Sequence, residues 1–433
     1  MKTTGIVICN YNKKEYVLRC IQSVLESDTQ DYSIYVVDNA SSDGSAEAIR
    51  ACYGNRVTVL ENKENLGGSG GFNRGIRYAL SKNHTYIWCL DNDTLVDEHA
   101  LSALIGCLKA HSEVGLVGSR IYQMDQPELL QENGIQIDYE NYCVESPYLN
   151  CIDDGTLPDF LYADAVAACS LLIRASVVRE IGCMPEENFL YWDDTEWCCR
   201  CRDHGYQVAV CGTSYVLHAM GAKKEAVNTF ATYYAWRNWI TFFLQRLKDS
   251  QLDRFSLTML GSAFDVLYEG WFRGEPNRGK TVMFALDDAL HRKMGKAKDS
   301  YFFAVEHTYS DLEDLCLQHE KFILVSNQLP ELAERLKSKI MEEHPAAEIT
   351  IVSDVKELSD TGDAYVVLLC ENIFHIKDFS ITYAYVDDDF NVYEKEEDTP
   401  YIRDYWYSRY LFIATHQPLF LEKAQEFRGE KKI

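Results

Sequence analysis

The sequence predicts an α/β protein in which helices cover both faces of a central, mostly parallel sheet. Between residues 5 and 60, three short apolar runs typical of buried strands alternate with two stretches of helical apolar spacing. This alternation indicates a parallel sheet. Aspartates directly follow the runs at 33–37 and 86–90, at the sheet edge where open α/β folds bind ligands. The pattern therefore predicts a fold class and the edge that carries a binding site.

The first half of the chain can be assigned in order. Strands are predicted at 5–9, 33–37, 57–60 and 86–90, and helices at 14–25 and 46–52. A glycine-rich segment from Asn65 to Gly75 leads into a helix expected over 72–80. Four glycines within residues 67–71 predict a loop whose backbone can lie close against a ligand. The helix that follows it offers free N–H groups to an anion or a ribose.

The second half continues the alternation and then changes. A strand is predicted at 165–173, a helix at 174–181, and strand segments at 208–211 and 214–218. An aromatic-rich helix covers 230–247, and further helices extend to about residue 298. Beyond it, strands at 321–325, 348–352 and 364–370 and a helix at 329–343 predict a second, small α/β unit without a phosphate loop.

Composition excludes some classes of partner. The net charge of −25 disfavours nucleic acid, whose binding depends on cationic side chains, and simple adhesion to anionic lipid. The 15 cysteines are scattered, several within apolar runs, and Cys198, Cys199 and Cys201 lack the spacing of a zinc ribbon. This usage indicates a reducing compartment. No apolar run approaches the length of a membrane span, and the N-terminus has no signal-peptide organisation, so we expect a cytoplasmic protein.

Asp91, Asn92 and Asp93 are the strongest candidates for chemistry in the first half. They follow the apolar run YIWCL at the end of its predicted strand. Two carboxylates at i and i+2 across a turn can hold a hard divalent cation and leave positions for water and phosphate oxygens. The alternative is a simple strand-ending turn, because Asp and Asn are common turn residues.

Four motifs in order carry a resemblance to a known family. GIVICNYN, YVVDNASSDGS, NLGGSGGFNRG and IWCLDND, taken together, resemble the inverting family 2 nucleotide-sugar glycosyltransferases of the GT-A fold. The resemblance implies that the first half binds a nucleotide-sugar donor and that the strand-end acids hold Mg²⁺ or Mn²⁺ against its diphosphate. The donor-binding residues that it implies are Asn10, Tyr11, Asp38, Asn65, Gly68, Gly71, Arg74, Asp91 and Asn92.

The resemblance extends to an acidic helix start behind two aromatic residues, Tyr191 and Trp192. Asp193, Asp194 and Glu196 open this helix, where the helix dipole alone would favour acids. Carboxylates close together raise a pKa towards the range that suits a general base. By resemblance Asp194 matches the family's base, with Asp193 as runner-up and Glu196 beside them.

Further parts of the site follow from the same resemblance. The two aromatic residues Tyr191 and Trp192 are expected to bind the acceptor. The segment 182–186 departs from the family's usual Gly-Gly-Phe-Asp-Glu lead-in. The family often places a metal-binding histidine after the strand that ends at His218, which gives Asp91, Asp93 and His218 as the expected metal ligands.

The resemblance also predicts function and domain organisation. Residues 1–228 are expected to form the GT-A catalytic domain, 229–298 a helical extension, and 299–433 an accessory domain for assembly or acceptor docking. The expected reaction moves galactofuranose from UDP-galactofuranose to a cell-surface polysaccharide or a lipid-linked glycan, with a dTDP-rhamnose enzyme as the near alternative. A nucleotidyltransferase and a catalytically silent sugar-binding module are the rivals from other classes.

Two further expectations concern partners. A peripheral contact with the inner face of the plasma membrane could involve Trp236, Trp239 and Trp271, whose rings suit the interfacial depth. Core packing is the alternative for each of these rings. A homo-oligomer is also compatible with the sequence.

Overall fold

The computed structural model describes residues 2–219, 227–358, 361–376, 379–380 and 382–429. The helices are α1 (Lys14–Leu25), α2 (Ser45–Tyr53), α3 (Gly67–Ser81), α4 (Ala100–Ala110), α5 (Ala175–Ile181), α6 (Asp193–Asp203), α7 (Phe230–Arg246), α8 (Leu252–Phe272), α9 (Pro276–Leu290), α10 (Leu312–Gln318), α11 (Pro330–Glu343) and α12 (Thr399–Gly429). The strands are β1 (Thr4–Asn10), β2 (Tyr32–Asp38), β3 (Val57–Glu61), β4 (Tyr86–Asp91), β5 (Thr94–Val96), β6 (Val114–Gln123), β7 (Leu130–Glu132), β8 (Gln136–Asp138), β9 (Cys143–Glu145), β10 (Phe160–Ala163), β11 (Ser170–Arg174), β12 (Gln207–His218), β13 (Lys321–Val325), β14 (Glu348–Val352), β15 (Tyr365–Leu369), β16 (Ala384–Val386) and β17 (Val392–Tyr393).

The larger sheet confirms the predicted α/β class. Its strand order is β10-β12-β6-β11-β4-β1-β2-β3, with β5 paired to β12 and β7 paired to β6. The run β4-β1-β2-β3 is parallel, and so is the pair β6-β12, whereas β11 lies antiparallel between β4 and β6. Apolar clusters fill both faces of this sheet. The parallel run brings the carboxyl ends of β1, β2 and β4 to one edge.

The glycine-rich segment is helix rather than loop, which corrects the predicted start of α3. The helix begins at Gly67 and so includes the four glycines. A Cβ at Gly71 would lie 2.3 Å from the Cys9 sulfur, and a Cβ at Gly75 would lie 2.2 Å from a Val7 methyl carbon. Glycine at these positions therefore lets α3 pack closely against β1.

The predicted strand at 165–173 is also shorter than expected. β11 covers only its second half, and residues 165–169 form a connecting segment before it. The backbone N–H groups of Ala167 and Ala168 donate to the side chains of Glu132 and Asp194 instead of to a neighbouring strand. The strand prediction was wrong here because these N–H groups bond to carboxyl side chains and so cannot pair with the backbone of a neighbouring strand.

The chain divides into two compact units. One comprises Met1–Phe255, Phe284–Phe302 and Lys423–Ile433, and the other comprises Ser256–Met283 and Phe303–Glu422. The second unit contains its own sheet, in the order β14-β13-β15-β16-β17, whose pairs are parallel except for β16-β17. The predicted boundaries at residues 228 and 298 stay predictions. In the part of the chain that the structure describes, no helix has the length and apolar character needed to cross a membrane.

The close packing of α3 gives a stability prediction. Gly75→Ala should lower the free energy of unfolding by about 1–3 kcal/mol, the range for overpacking a core, although alanine favours a helix by about 1 kcal/mol. Gly106→Ala in α4 is the matched control, because a Cβ there has no atom within 4 Å. We expect the control to keep or raise stability in urea denaturation. Equal effects of the two substitutions would contradict the packing role of Gly75.

Candidate active site

Three neighbouring strands end in polar side chains that bond to one another. Asn10 at the end of β1 accepts a hydrogen bond from Asn92 at 2.8 Å. Its own amide donates to Asp38, at the end of β2, at 3.1 Å. Asp38 also accepts the backbone N–H of Ser41 at 3.0 Å. The three predicted donor-binding residues Asn10, Asp38 and Asn92 thus form one chain along the sheet edge.

Asp91, Asp93 and His218 lie together, and β5 explains why. β5 directly follows the two aspartates and pairs antiparallel with the end of β12, which sets His218 opposite Thr94. The His218 Nε2 lies 3.7 Å from an Asp91 oxygen and 3.4 Å from an Asp93 oxygen. One ligand atom from each of the three residues lies within 4.8 Å of the others. The structure therefore brings the three predicted metal ligands together.

The charges of Asp91, Asp93 and His218 shift one another's pKa values. Burial and the charge of Asp93 raise the pKa of Asp91 to about 6. Burial also acts to raise the pKa of Asp93, but a hydrogen bond and the charge of His218, with Lys13, hold it down at about 2. Burial lowers the pKa of His218, yet the hydrogen bond to Asp93 and the two negative charges raise it overall. The two carboxylates therefore need nearby positive charge to ionise together.

Lys13 and Gln131 complete this group, and the sequence analysis missed both. The Lys13 ammonium forms an ion pair with Asp93. The Gln131 side-chain amide contacts the Nδ1 of His218, with its nitrogen 2.9 Å and its oxygen 3.2 Å away, and so orients the ring with Nε2 towards the aspartates. Lys13 directly follows the predicted strand-end turn, which was an available signal. No sequence pattern singled out Gln131.

A network of buried amides shapes the start of α3. The Asn39 side chain, only 2% exposed, donates to Asn65 and to the carbonyl oxygen of Gly67. It also accepts hydrogen bonds from Asn62 and from the N–H of Leu66. Its hydrogen bonds hold the turn that precedes α3.

The N–H groups at the start of α3 are partly occupied. The Gly67 N–H donates to Asn65 at 2.8 Å, and the Gly68 N–H donates to the carbonyl oxygen of Phe189 at 2.7 Å. These groups are therefore not free to face an anion in this structure. The predicted roles of Asn65, Gly68 and Gly71 in donor binding stay predictions.

Two other predicted donor residues lie at the surface. Arg74 is exposed and donates to the Asn62 side chain at 2.5 Å. Tyr11 follows β1 and is 46% exposed. Their predicted roles in donor binding also stay untested.

Asp193 and Asp194 open α6 in different environments. Asp193 is buried, and its burial together with the charges of Asp194 and Asp91 raises its pKa to about 7. Burial also raises the pKa of Asp194, against hydrogen bonds from the N–H groups of Ala168 at 3.1 Å and Thr195 at 2.7 Å. The adjacent residues Ala168 and Cys169 bond to the Asp194 carboxylate and to the backbone N–H of Asp91, so the acidic helix and the strand-end aspartates lie in one site.

The other residues of the predicted acidic helix start and its two aromatic neighbours lie in different surroundings. Glu196 forms an ion pair with Arg246 of α7 at 2.9 Å, which favours a structural role. Trp192 packs against Phe242 with ring centroids 5.0 Å apart, whereas Tyr191 is 45% exposed. Tyr191 is therefore the more accessible of the two predicted acceptor-binding rings. These roles stay predictions.

Glu132 is a further acid that the sequence analysis did not identify. It ends β7, is 7% exposed and accepts the N–H of Ala167 at 3.0 Å. Burial raises its pKa to about 8, and the charge of Asp194 adds to the rise while His218 opposes it. The N–H groups of the consecutive residues Ala167 and Ala168 thus hold the carboxyl groups of Glu132 and Asp194.

Comparison with known proteins identifies the class of protein. Residues 5–176 match a family of sugar-transferring enzymes, and the protein is a glycosyltransferase. The matching family is Glycosyl transferase family 2, and the similarity covers residues 5–176 of this chain. The match confirms the resemblance described above, with the α/β fold of GT-A type that it implied.

Several curated proteins are similar over part of the chain. A low-salt glycan biosynthesis hexosyltransferase of Haloferax volcanii is 24% identical over 277 residues, covering 62% of this chain and 82% of that protein. The galactofuranosyltransferase GlfT1 of Mycolicibacterium smegmatis is 27% identical, covering 50% of this chain and 70% of that protein. The dTDP-rhamnosyl transferase RfbF of Shigella flexneri is 23% identical, covering 51% and 70%. Among solved structures, S. aureus TarS 1-349 in complex with UDP-GlcNAc has a TM-score of 0.44 and 13% identity, covering 79% of this chain and 89% of that one.

The buried position of Glu132 predicts a pH dependence of stability. Its ordinary pKa is 4.5, and in the folded protein the pKa is about 8. Between these values the folded protein keeps a proton that the unfolded chain has lost, so this group makes stability fall as the pH rises. Glu132→Gln should remove a slope of at most about 1.4 kcal/mol per pH unit.

Urea denaturation of the wild type and of Glu132→Gln between pH 5 and 8 measures this effect. The exposed Glu128, changed to glutamine, is the matched control and should keep the wild-type slope. Identical slopes for Glu132→Gln and the wild type would show that Glu132 is not held protonated.

Proposed function

We propose that this glycosyltransferase is inverting and depends on a divalent metal ion, with UDP-galactofuranose as its donor. The observation that carries the proposal is the convergence of Asp91, Asp93 and His218 near a second acidic group at Asp193 and Asp194. The first group suits binding of a metal ion with the donor diphosphate. The acidic pair suits removal of a proton from an acceptor hydroxyl.

The chemistry of the three proposed ligands fits Mg²⁺ or Mn²⁺. Carboxylate oxygens suit both ions, and imidazole is a common ligand of transition metals. When bound, the ion would neutralise charge on the leaving diphosphate as a Lewis acid. The contact from Gln131 to Nδ1 of His218 leaves Nε2 directed at the two aspartates. Lys13, now paired with Asp93, adds a second positive charge for the same phosphates.

Asp194 is the proposed general base. The N–H groups of Ala168 and Thr195 fix the orientation of its carboxylate, while lone pairs remain to accept a proton. It is less buried than Asp193, so an acceptor hydroxyl can reach it more easily. The raised pKa improves its strength as a base near neutral pH. A single displacement from the opposite face of the sugar then needs one base and no covalent nucleophile.

The names of the relatives support the proposed donor class. Relatives include galactofuranosyl, rhamnosyl and hexosyl transferases, which keeps dTDP-rhamnose as the alternative donor. The proposed acceptor is a growing cell-surface polysaccharide or a lipid-linked glycan. A catalytically silent sugar-binding module is disfavoured because the chain has both the proposed metal ligands and the proposed base. A nucleotidyltransferase is disfavoured because Asn10-Tyr11-Asn12 replaces a basic glycine-rich loop after β1.

The cellular setting belongs to the same proposal. We place the enzyme in the cytoplasm, with a peripheral membrane contact and an accessory role for the second α/β unit. Trp271 is 56% exposed, as an interfacial ring requires. Trp239 instead donates its indole N–H to the carbonyl oxygen of Tyr142 at 2.6 Å, which favours packing.

The proposed metal site predicts the effect of removing one ligand. Asp93→Ala should abolish Mn²⁺-dependent binding of UDP in isothermal titration calorimetry, because it removes a carboxylate central to the group. Asp97→Ala is the matched control, because Asp97 lies outside this group in the same chain segment. Unchanged Mn²⁺-dependent binding by Asp93→Ala would contradict the assignment.

The proposed base predicts a loss of chemistry without a loss of binding. Asp194→Asn keeps the shape and removes the proton acceptor, so transfer should fall by about a hundredfold or more. Binding of UDP with Mn²⁺ should survive in the same variant. Asp193→Asn is the comparison, and a larger loss there would assign the base to Asp193 instead. Normal transfer by both variants would exclude this mechanism.

A further inference from the structure

The segment 187–192, which leads into the acidic helix, has a strained backbone. Phe189, Tyr191 and Trp192 have φ angles of 64°, 63° and 64°, in the left-handed region that such residues rarely adopt. Each costs on the order of 1–3 kcal/mol and persists only where its surroundings impose it. Trp192 directly precedes Asp193, so the strain lies where the chain turns into the acidic pair.

Arg237 of α7 supplies one part of the surroundings that impose this backbone. It is fully buried and donates to the carbonyl oxygens of Asn188 at 2.7 Å, Gly295 at 2.6 Å and Glu187 at 3.3 Å. Within the described residues, no carboxylate lies within ion-pair distance of it. Its Nε also donates to the Asn238 side-chain oxygen at 3.0 Å, and its guanidinium lies over the rings of Tyr233 and Tyr234. Burying a guanidinium without a carboxylate partner is nevertheless unfavourable compared with an apolar side chain. The arrangement is therefore better explained by control of the loop than by stability.

Asn238, the next residue of α7, supplies the other part. Its amide nitrogen lies 3.0 Å from the carbonyl oxygen of Asn188, 2.7 Å from that of Leu190 and 3.0 Å from that of Tyr191. Two N–H groups thus serve three carbonyl oxygens of the strained segment. The bonded carbonyl oxygens therefore lie on both sides of Phe189 and include that of Tyr191, directly before Trp192.

The segment is fixed from its opposite side by the start of α3. The carbonyl oxygen of Phe189 accepts the N–H of Gly68 at 2.7 Å. Gly67 has φ of 76°, and a Cβ there would come 2.0 Å from the same oxygen. Glycine at position 67 therefore allows the segment to approach α3. The glycine-rich helix start and the acidic helix start are joined by this contact.

We propose that Arg237 and Asn238 are positioning residues that set the place of Asp193 and Asp194. Their hydrogen bonds reach the carbonyl oxygens of 187–191 and not the two carboxylates, so they act through the backbone. The inference rests on the proposed function in one respect, that Asp194 removes the acceptor proton. A shift of about 1 Å in such a group can reduce a rate by about a hundredfold. Loss of the hydrogen bonds from Arg237 and Asn238 should therefore lower kcat more than it raises KM for the donor.

Hydrogen–deuterium exchange on the full chain tests the positioning directly. In Asn238→Ala, the amides of 187–194 should exchange at least about tenfold faster than in the wild type, because local opening becomes easier. Peptides from β1 and β4 should keep their rates. Thr241→Val is the matched control, because Thr241 is a buried polar residue of α7 that contacts Met294 rather than the segment.

Kinetics on the same variants provide the second readout. Asn238→Ala should lower kcat by about tenfold to a hundredfold with little change in donor KM, and Thr241→Val should leave both unchanged. Arg237→Lys, which keeps the charge but loses the forked geometry, should give an intermediate loss and replaces Asn238→Ala if that variant does not fold. Wild-type exchange in the segment with wild-type kcat would overturn the inference. If the wild type transfers no sugar, the proposed function fails, and the exchange result alone decides the positioning.

Discussion

Repulsion among buried acids is the constraint on which this site depends. Five carboxyl groups from three parts of the chain interact in it: Asp91, Asp93, Glu132, Asp193 and Asp194. Burial raises the pKa of four of them, and the charge of a neighbouring acid adds to the rise for Asp91, Glu132 and Asp193. Only Asp93 has its pKa lowered, because it contacts both Lys13 and His218. A site with this excess of negative charge gains strongly from a bound dication.

Backbone groups as well as side chains provide hydrogen-bond partners to the acidic residues of the site. The segment 165–169 donates N–H groups to Glu132 and Asp194, and its Cys169 carbonyl oxygen accepts the N–H of Asp91 at 3.3 Å. A short connection therefore contacts three acids from different elements. Because it runs directly into β11, at the centre of the sheet, the acids are fixed relative to a rigid scaffold. The same principle appears at 187–192, where α7 holds a strained backbone.

Local signals predicted much of the fold but not its connections. Prediction succeeded for β1, β2, β13 and α1. In each, the spacing of the apolar residues and the turn residues at its ends indicate the same element. The region 94–164 carried no prediction, although it contains β6 and the short strands β5 and β7. Short strands depend on partners distant in sequence, so their own few residues carry little signal. For that reason Gln131 and Glu132 could not be identified from the sequence.

The candidate site shows the same division. Asp91, Asp93 and His218 were predicted from a motif and a resemblance, and the structure brings them together. The start of α3 was predicted too late because glycines are typical of loops, and the close approach of Gly71 to Cys9 and of Gly75 to Val7 is visible only in the structure. The ion pair in which Glu196 accepts hydrogen bonds from Arg246 likewise depends on how α6 and α7 pack.

The most direct test of the account is the stereochemistry and metal dependence of a single transfer reaction. Purified protein, UDP-galactofuranose and an alkyl glycoside acceptor would be combined with Mn²⁺ or with EDTA, and the anomeric configuration of the product would be read by NMR. The account predicts a product of inverted configuration with Mn²⁺ and none with EDTA. A product of retained configuration, or equal transfer in EDTA, would contradict it.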